Sequence, residues 1–255
     1  MLKKNIFFNN FNITEEAFKE TGLDWETLVE IYNNYVTLAP FLEEASEKIV
    51  KNLINLTNVH SVRKRVKKPE HLIEKIIRKG AKYKSKNINV TNYREIITDL
   101  IGIRVLHLFK DDWHDVHFGI KEIWPLLEVP QINIRRGDYN LEKLEKNVDN
   151  LGCEIVVRDH GYRSIHYLIG ILLEKDLEIR VEIQVRTVFE EAWSEIDHIT
   201  RYPYDMDNEL LVEYLAILNR IVGSADEMGT LIKKMKTKLS NKKENENREL
   251  DNKFS

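Results

Sequence analysis

Residues 178–186, EIRVEIQVR, alternate between polar and apolar types. Such alternation predicts a strand that turns Glu178, Arg180, Glu182, Gln184 and Arg186 to one face and Ile179, Val181, Ile183 and Val185 to the other. Two arginines, a carboxylate and an amide on one face suit phosphate and a divalent cation, because guanidinium groups grip phosphate bidentately and carboxylates ligate Mg2+. A polar face of this kind serves a solvated antiparallel sheet equally well, and the strand by itself leaves both readings open.

A second surface is set by charge. Residues 63–86 hold eleven Lys and Arg against two Glu, a net +9 in a 255-residue chain of formal net charge −3, so the rest carries −12. A mildly acidic chain with one concentrated positive stripe is not a uniformly basic nucleic-acid coat; it points to a local anionic ligand. Lys67, His71 and Lys75 are spaced by four and share a face, continued by Arg78 and Lys82, with Arg65 just ahead. Like charges at this density repel, and a polyphosphate would neutralise them, although a charge run also serves as a plain solvated face. Asp99 precedes an apolar strand with Arg104 inside it, and a buried arginine needs a partner. Asp99 and Glu182 together suit a divalent ion, but spacing does not show whether they meet. In HGYRSIH (160–166), Gly161 suits a turn and Tyr162 stands at a strand mouth, either packed there or free to stack on a base. His114 and His117 lack an evident third metal ligand. The sole cysteine, Cys153, excludes an internal disulfide or a cysteine-based zinc site. Neither a GxSxG elbow nor a Walker A loop is present.

These residues need a scaffold. Hydrophobic content of 42% is enough for a substantial core. No apolar run approaches the roughly 18 residues of a membrane helix, and the N-terminus lacks a signal-peptide core, so a cytoplasmic protein without membrane association is expected. Three- and four-residue spacing predicts helices over 24–57, with a break or kink at Pro40, and over 69–84, with Pro69 in the first turn. Further helices are expected over 112–126, 187–199 and 208–239. β-Branched and aromatic runs predict strands over 100–109, 153–158, 164–173 and 178–186, with a weaker one over 131–136. The polar residues 240–255 are expected to be disordered. Strands interleaved with helices give an α/β or α+β domain with helical arms at both ends.

In order, RVKKPEHLIEK (65–75), TDLIGIRVL (98–106), HGYRSIHY (160–167) and EIQVRTVFEEAW (182–193), closing on Asp197-His198, resemble the synthetase domain of the RelA/SpoT family. The resemblance runs from about Ser61 to His198. It implies an α+β, nucleotidyltransferase-like fold, a mixed β-sheet flanked by helices, divided into an N-terminal helical arm (1–60), a synthetase domain (61–205), a C-terminal arm (206–240) and a polar tail (241–255). It implies transfer of the β,γ-diphosphate of ATP to GTP or GDP, making (p)ppGpp with Mg2+. Arg65, Lys67, His71, Lys75 and Arg104 fall at the ATP-binding positions. Asp99 and Glu182 fall at the catalytic and metal-binding carboxylates. Tyr162, Arg158, His166, Gln184 and Arg186 fall at the acceptor site, Tyr162 stacking on guanine. His71 stands where the family usually has serine, and Glu191 where small synthetases often have asparagine. The segment 190–203 looks more like a toxin-rich branch, which implies an alternative: pyrophosphorylation of the tRNA 3′ end, or adenine alarmones, with Lys82, Lys84 and Lys86 meeting RNA. A stand-alone synthetase without ppGpp hydrolysis is expected. Family members often form homo-oligomers through flanking helices, a role that 208–239 could fill.

Overall fold

The computed structural model describes residues 2–135, 151–158, 162–173, 177–201 and 208–254; the expected turn at His160-Gly161 and the segment 202–207 lie outside them. The chain opens with α1 (Lys4–Asn10), α2 (Glu15–Thr21) and the long α3 (Trp25–Ile54). Asp24 caps α3 by accepting the Thr27 N–H at 2.9 Å. Leu28, Ile31, Tyr35, Leu38, Leu42, Ala45, Ile49 and Leu53 form its buried stripe, at the spacing a helix requires to keep one face inward. Of the break or kink expected at Pro40, the break does not occur: α3 runs unbroken through it. Proline deprives only the Val36 carbonyl of its helical donor, and Val36 is exposed, so water can serve that carbonyl.

After α3 come β1 (Ser61–Val66), α4 (Pro69–Arg78), α5 (Gly80–Lys84), α6 (Tyr93–Ile96) and β2 (Ile101–His107). Next are a 3-10 turn (Lys110–Asp112), α7 (Trp113–Ile123), β3 (Gln131–Arg135), β4 (Glu154–Arg158), β5 (Ser164–Leu172), β6 (Glu178–Thr187), α8 (Val188–Arg201) and α9 (Glu209–Phe254). The strand β1 is an addition to the sequence reading. Its SVRKRV text hides a half-apolar face, in which Val62, Lys64 and Val66 turn toward α3 and Lys64 meets Glu43 at 2.6 Å. The helix expected over 69–84 is two helices, because the chain turns at Lys79 so that Gly80 can press on Thr21; a Cβ at Gly80 would lie 2.4 Å from the Thr21 Cβ. The tail expected to be disordered continues α9 as helix to Phe254. Its Lys- and Glu-rich composition favours a helix without needing a core to pack on.

Among the described residues one sheet has the order β1-β2-β6-β5-β3-β4, with β2/β6 and β3/β4 parallel and the other pairs antiparallel. Ile101, Ile103, Val105, Ile179, Val181, Ile183 and Val185 on one face are fully or almost fully buried with α3. The other face gathers the polar alternates. Register sets Arg65 beside Gly102, Gly102 beside Glu182, Arg104 beside Gln184, and Gln184 beside His166. The expected mixed sheet with flanking helices is therefore present, and its pleat alone collects residues distant in sequence.

The α3 stripe also reaches the site. The fully buried Tyr35 donates its hydroxyl to the Lys67 carbonyl at 2.7 Å. Tyr35→Phe leaves that carbonyl without its donor and should lower stability by about 1–2 kcal/mol, read from urea unfolding at unchanged m-value. Wild-type stability in the variant would show that this bond contributes nothing.

Candidate active site

Asp99 lies just ahead of β2. Its Oδ2 meets Lys75 Nζ at 2.7 Å and Lys67 Nζ at 3.1 Å. Burial by itself would raise the Asp99 pKa; the two ammonium groups more than reverse that and hold it below its ordinary 3.8. Lys67 is 7% exposed, and its burial outweighs the pull of Asp99, holding its ammonium below the usual lysine range. Its backbone is pinned twice, by the Tyr35 hydroxyl and by its own N–H donating to the Leu100 carbonyl at 2.9 Å. Asp99 Oδ1 is buried without a hydrogen-bond partner.

Glu182 stands on the adjacent strand, in register with Gly102. A Cβ on Gly102 would have the Arg65 carbonyl oxygen, 4.0 Å away, as its sole close neighbour, so glycine leaves an open floor between the basic edge and Glu182. Burial pushes the Glu182 pKa up, the His166 hydrogen bond and charge pull it down, and Asp99 pushes it up again; the net direction is below the ordinary 4.5. The two carboxylates are thus close enough to feel each other's charge. Spacing could not show this; the parallel pairing of β2 with β6 sets Glu182 level with Gly102, three residues past Asp99.

From Glu182 a chain of contacts runs across the sheet. His166 Nδ1 lies 3.4 Å from Glu182 Oε1, and His166 Nε2 lies 2.9 Å from the Tyr162 hydroxyl. Arg186 donates to that hydroxyl and to Gln184 Oε1, and its guanidinium sits 4.9 Å from the Tyr162 ring centre. One proton arrangement satisfies all of this: Arg186 donates to Tyr162, Tyr162 to Nε2, and Nδ1–H to Glu182. Arg186 also donates to Glu191 at 3.0 Å and Ser194 at 2.8 Å. Arg104 donates to Glu191 at 2.9 Å and also to Glu195. Glu191, 4% exposed, therefore joins β2 and β6 to α8 through two guanidiniums.

The sheet face thus brings Asp99, Lys67, Lys75, Glu182, Gln184, His166, Tyr162, Arg186 and Arg104 together, with Arg65 exposed at its edge. Arg158 is farther along, on β4, donating to Asn133 Oδ1 at 2.6 Å. His71 is exposed, its ring edge-on to Phe11 at 5.6 Å. Lys84, exposed, reaches back over α2: a Cβ on the left-handed Gly22, which ends that helix, would fall 2.2 Å from Lys84 Nζ. That ammonium lies at the electronegative end of α2. His117 is buried against the Tyr167 hydroxyl and the Leu151 carbonyl, at 3.1 Å each, a packing role.

One signal in the sequence went unread, and one residue's role left none. Thr187-x-x-Glu190 is a capping box: Thr187 Oγ1 accepts the Glu190 N–H at 3.0 Å and Glu190 Oε2 accepts the Thr187 N–H at 2.9 Å. The residue is Glu191, whose bridging role needs the packing of α8 on two strands and has no local signature. Among the described residues no three His, Cys, Asp or Glu side chains cluster as a metal site. Two carboxylates with an unpartnered buried oxygen fit a cation that draws its other ligands from phosphate and water, as Mg2+ does.

The family described as the region found in RelA and SpoT proteins matches residues 64–207. The GTP pyrophosphokinase YwaC of Bacillus subtilis (strain 168) is 24% identical over 194 residues, spanning 72% of this chain and 81% of the relative. The crystal structure of small alarmone synthetase 1 from Bacillus subtilis superposes with TM-score 0.59 at 19% identity, over 81% of this chain and 99% of that one. The same protein bound to its product pppGpp gives 0.58 at 21% identity, over 79% and 96%.

The ion pairs around Asp99 set a pH dependence. A carboxylate with a depressed folded pKa contributes stability above its ordinary 3.8 that is lost as pH falls through the folded value. Lys75→Met should therefore cost on the order of 2 kcal/mol at pH 7, with the gap to wild type closing below the ordinary Asp99 value. Thermal melts from pH 7 down to acid measure it; a gap that stays constant with pH contradicts the assignment.

Proposed function

The chain belongs to the RelA/SpoT family, and from that premise we propose that it transfers the β,γ-diphosphate of ATP to the ribose 3′-hydroxyl of GDP or GTP, using Mg2+. The observation that carries this reading is the pair Asp99, just ahead of β2, and Glu182 on the neighbouring β6, each tied to a different polar group. Lys67 and Lys75 lie on the Asp99 side and, with Arg65, suit the ATP phosphates. His166, Tyr162 and Arg186 lie on the Glu182 side and suit the acceptor.

In the reaction the acceptor oxygen bonds to the β-phosphorus, the bond from that phosphorus to the α,β-bridging oxygen breaks, AMP leaves and the hydroxyl proton must be taken up. Asp99 Oδ2 already holds two ammonium groups, so Glu182 is the better proton acceptor. His166 orients it, and through Tyr162 links it to Arg186. Mg2+ on Asp99 Oδ1 and Glu182 would supply charge neutralisation at the phosphates. The solved relative bound to pppGpp supports a guanine acceptor. Transfer to a tRNA 3′ end is the other reading; Lys82, Lys84 and Lys86 are all exposed, as it would need.

The outward face of α9 bears on assembly. Leu210, Tyr214, Ile217, Ile221, Met228 and Met235 are exposed along it, with Glu209 and Glu213 toward one end and Lys236 and Lys238 toward the other. An antiparallel second copy would bury the apolar residues and match acidic to basic ends. Light scattering should give a dimer or higher oligomer, reduced to monomer by Ile217→Glu with Ile221→Glu; a monomeric wild type rejects it.

ATP labelled at the γ-phosphate, offered with Mg2+ to GDP, GTP, ATP and tRNA in parallel, should label GDP or GTP. Asp99→Asn and Glu182→Gln should each lower the rate by about 100-fold or more with the fold intact by circular dichroism. Label in tRNA with none in guanine nucleotide would transfer the reading to the alternative acceptor.

A further inference from the structure

The back of the acceptor site rests on a buried polar contact that the proposed reaction does not use. Thr187, 1% exposed, follows Arg186 directly and ends β6. Its hydroxyl does two things. It accepts the Glu190 N–H that starts α8, and it donates to Asp226 Oδ2 of α9 at 2.9 Å. Asp226 is 1% exposed, and its Oδ1 is buried without a hydrogen-bond partner. The same face of α9 meets the other acceptor strand. A Cβ on Gly223 would lie 3.0 Å from Arg163 Nη2, so the helix is bare there to let Arg163, 7% exposed, lie against it. Arg163 directly follows Tyr162. The Trp193 indole N–H donates to the Leu215 carbonyl at 2.9 Å, and the Lys110 N–H to Thr230 Oγ1 at 2.9 Å, so α9 is also fixed to α8 and to the turn after β2.

We propose that Asp226 is a positioning residue for the acceptor site, acting through Thr187 on the N-terminal cap of α8. The cap fixes the first turn of α8, and that turn carries Glu191. Glu191 holds Arg186 and Arg104, and Arg186 holds Tyr162 and Gln184. Of the residues at the ATP-binding positions the path reaches only Arg104, which Glu195 also holds; it touches none of Lys67, Lys75 or Asp99. A change at Asp226 therefore falls first on the acceptor half of the site.

A carboxylate is a costly choice for a site that only needed filling. Burial first, and then the charge of Glu190, push the Asp226 carboxyl up to about 7; the Thr187 hydrogen bond and the charges of Lys110 and Arg163 oppose them. An apolar residue would pack there without that cost but could not accept the Thr187 hydroxyl proton.

The proposal rests on the acceptor assignment made above, and the test separates the two. Asp226→Ala should raise KM for the guanine acceptor about tenfold while KM for ATP stays within about twofold. Asp226→Asn keeps an oxygen for Thr187 and should stay within about twofold of wild type for both substrates, whereas Thr187→Val should behave as Asp226→Ala does. Hydrogen exchange should quicken at the amides of residues 187–191 in Asp226→Ala and not in Asp226→Asn, with α4 unchanged. A variant whose melting temperature falls while the acceptor KM and the 187–191 amides match wild type overturns the proposal. So does equal damage to both KM values. If the wild type transfers label to no acceptor, the proposed function fails, and the exchange measurement still decides whether Asp226 orders the cap.

Discussion

The molecule is organised around a buried charge that must not be left alone. Asp99 is only 20% exposed, and without partners its burial would push the carboxyl toward the protonated form. Lys67 and Lys75 keep it ionised, and each must be delivered by a different element. Lys67 comes from the end of β1, tied by backbone to Leu100 and by Tyr35 to α3; Lys75 comes from the second turn of α4. The antiparallel pairing of β1 with β2, the packing of α3 beneath them and the position of α4 all converge on one oxygen atom, Asp99 Oδ2. The short N-terminal helices serve the same end indirectly, since α2 wedges against α5 at Thr21–Gly80 and lies under Lys84.

A second charge balance governs the other half. Glu191 lies between Arg104 and Arg186, and it neutralises the deeply buried Arg186, 3% exposed, while sharing the half-exposed Arg104 with Glu195. The two balances meet at Glu182, which feels Asp99 on one side and accepts a hydrogen bond from His166 on the other. Because β2 and β6 are parallel neighbours, Gly102 and Glu182 are level, and the absent side chain at Gly102 leaves room for a ligand between the halves.

Much of this was legible in the chain, for reasons that differ by residue. Strict alternation in β6 announced both its faces, and Leu72, Ile73, Ile76 and Ile77 announced the buried side of α4, because period alone sets which residues point inward. The ordered motifs gave the membership and the two carboxylates. Three things resisted. The strand β1 was hidden because an edge strand needs only half an apolar face, and here one inward position is a lysine neutralised by Glu43. The continuity of α3 through Pro40 depends on Val36 being exposed, which is tertiary information. The engagement of Arg104 and Arg186 by α8 joins residues 87 and 5 positions apart to the same glutamate, and no spacing rule predicts such a bridge.

The same pairing explains how the positive stripe can be both folded and available. Were its cations all bare, the +9 of residues 63–86 would work against closing the sheet; were all of them committed, nothing would remain for an anion. The structure divides them. Lys64 and Arg78 meet glutamates, Lys84 lies at the end of α2, and Lys67 and Lys75 share one carboxylate oxygen. Two ammonium groups on one carboxylate leave an excess positive charge beside an unpartnered Asp99 Oδ1. A cation alone would be repelled by the lysines, and a polyphosphate alone by the carboxylates; the two together satisfy every group. That charge balance is the physical ground for proposing a metal–polyphosphate ligand over either component alone.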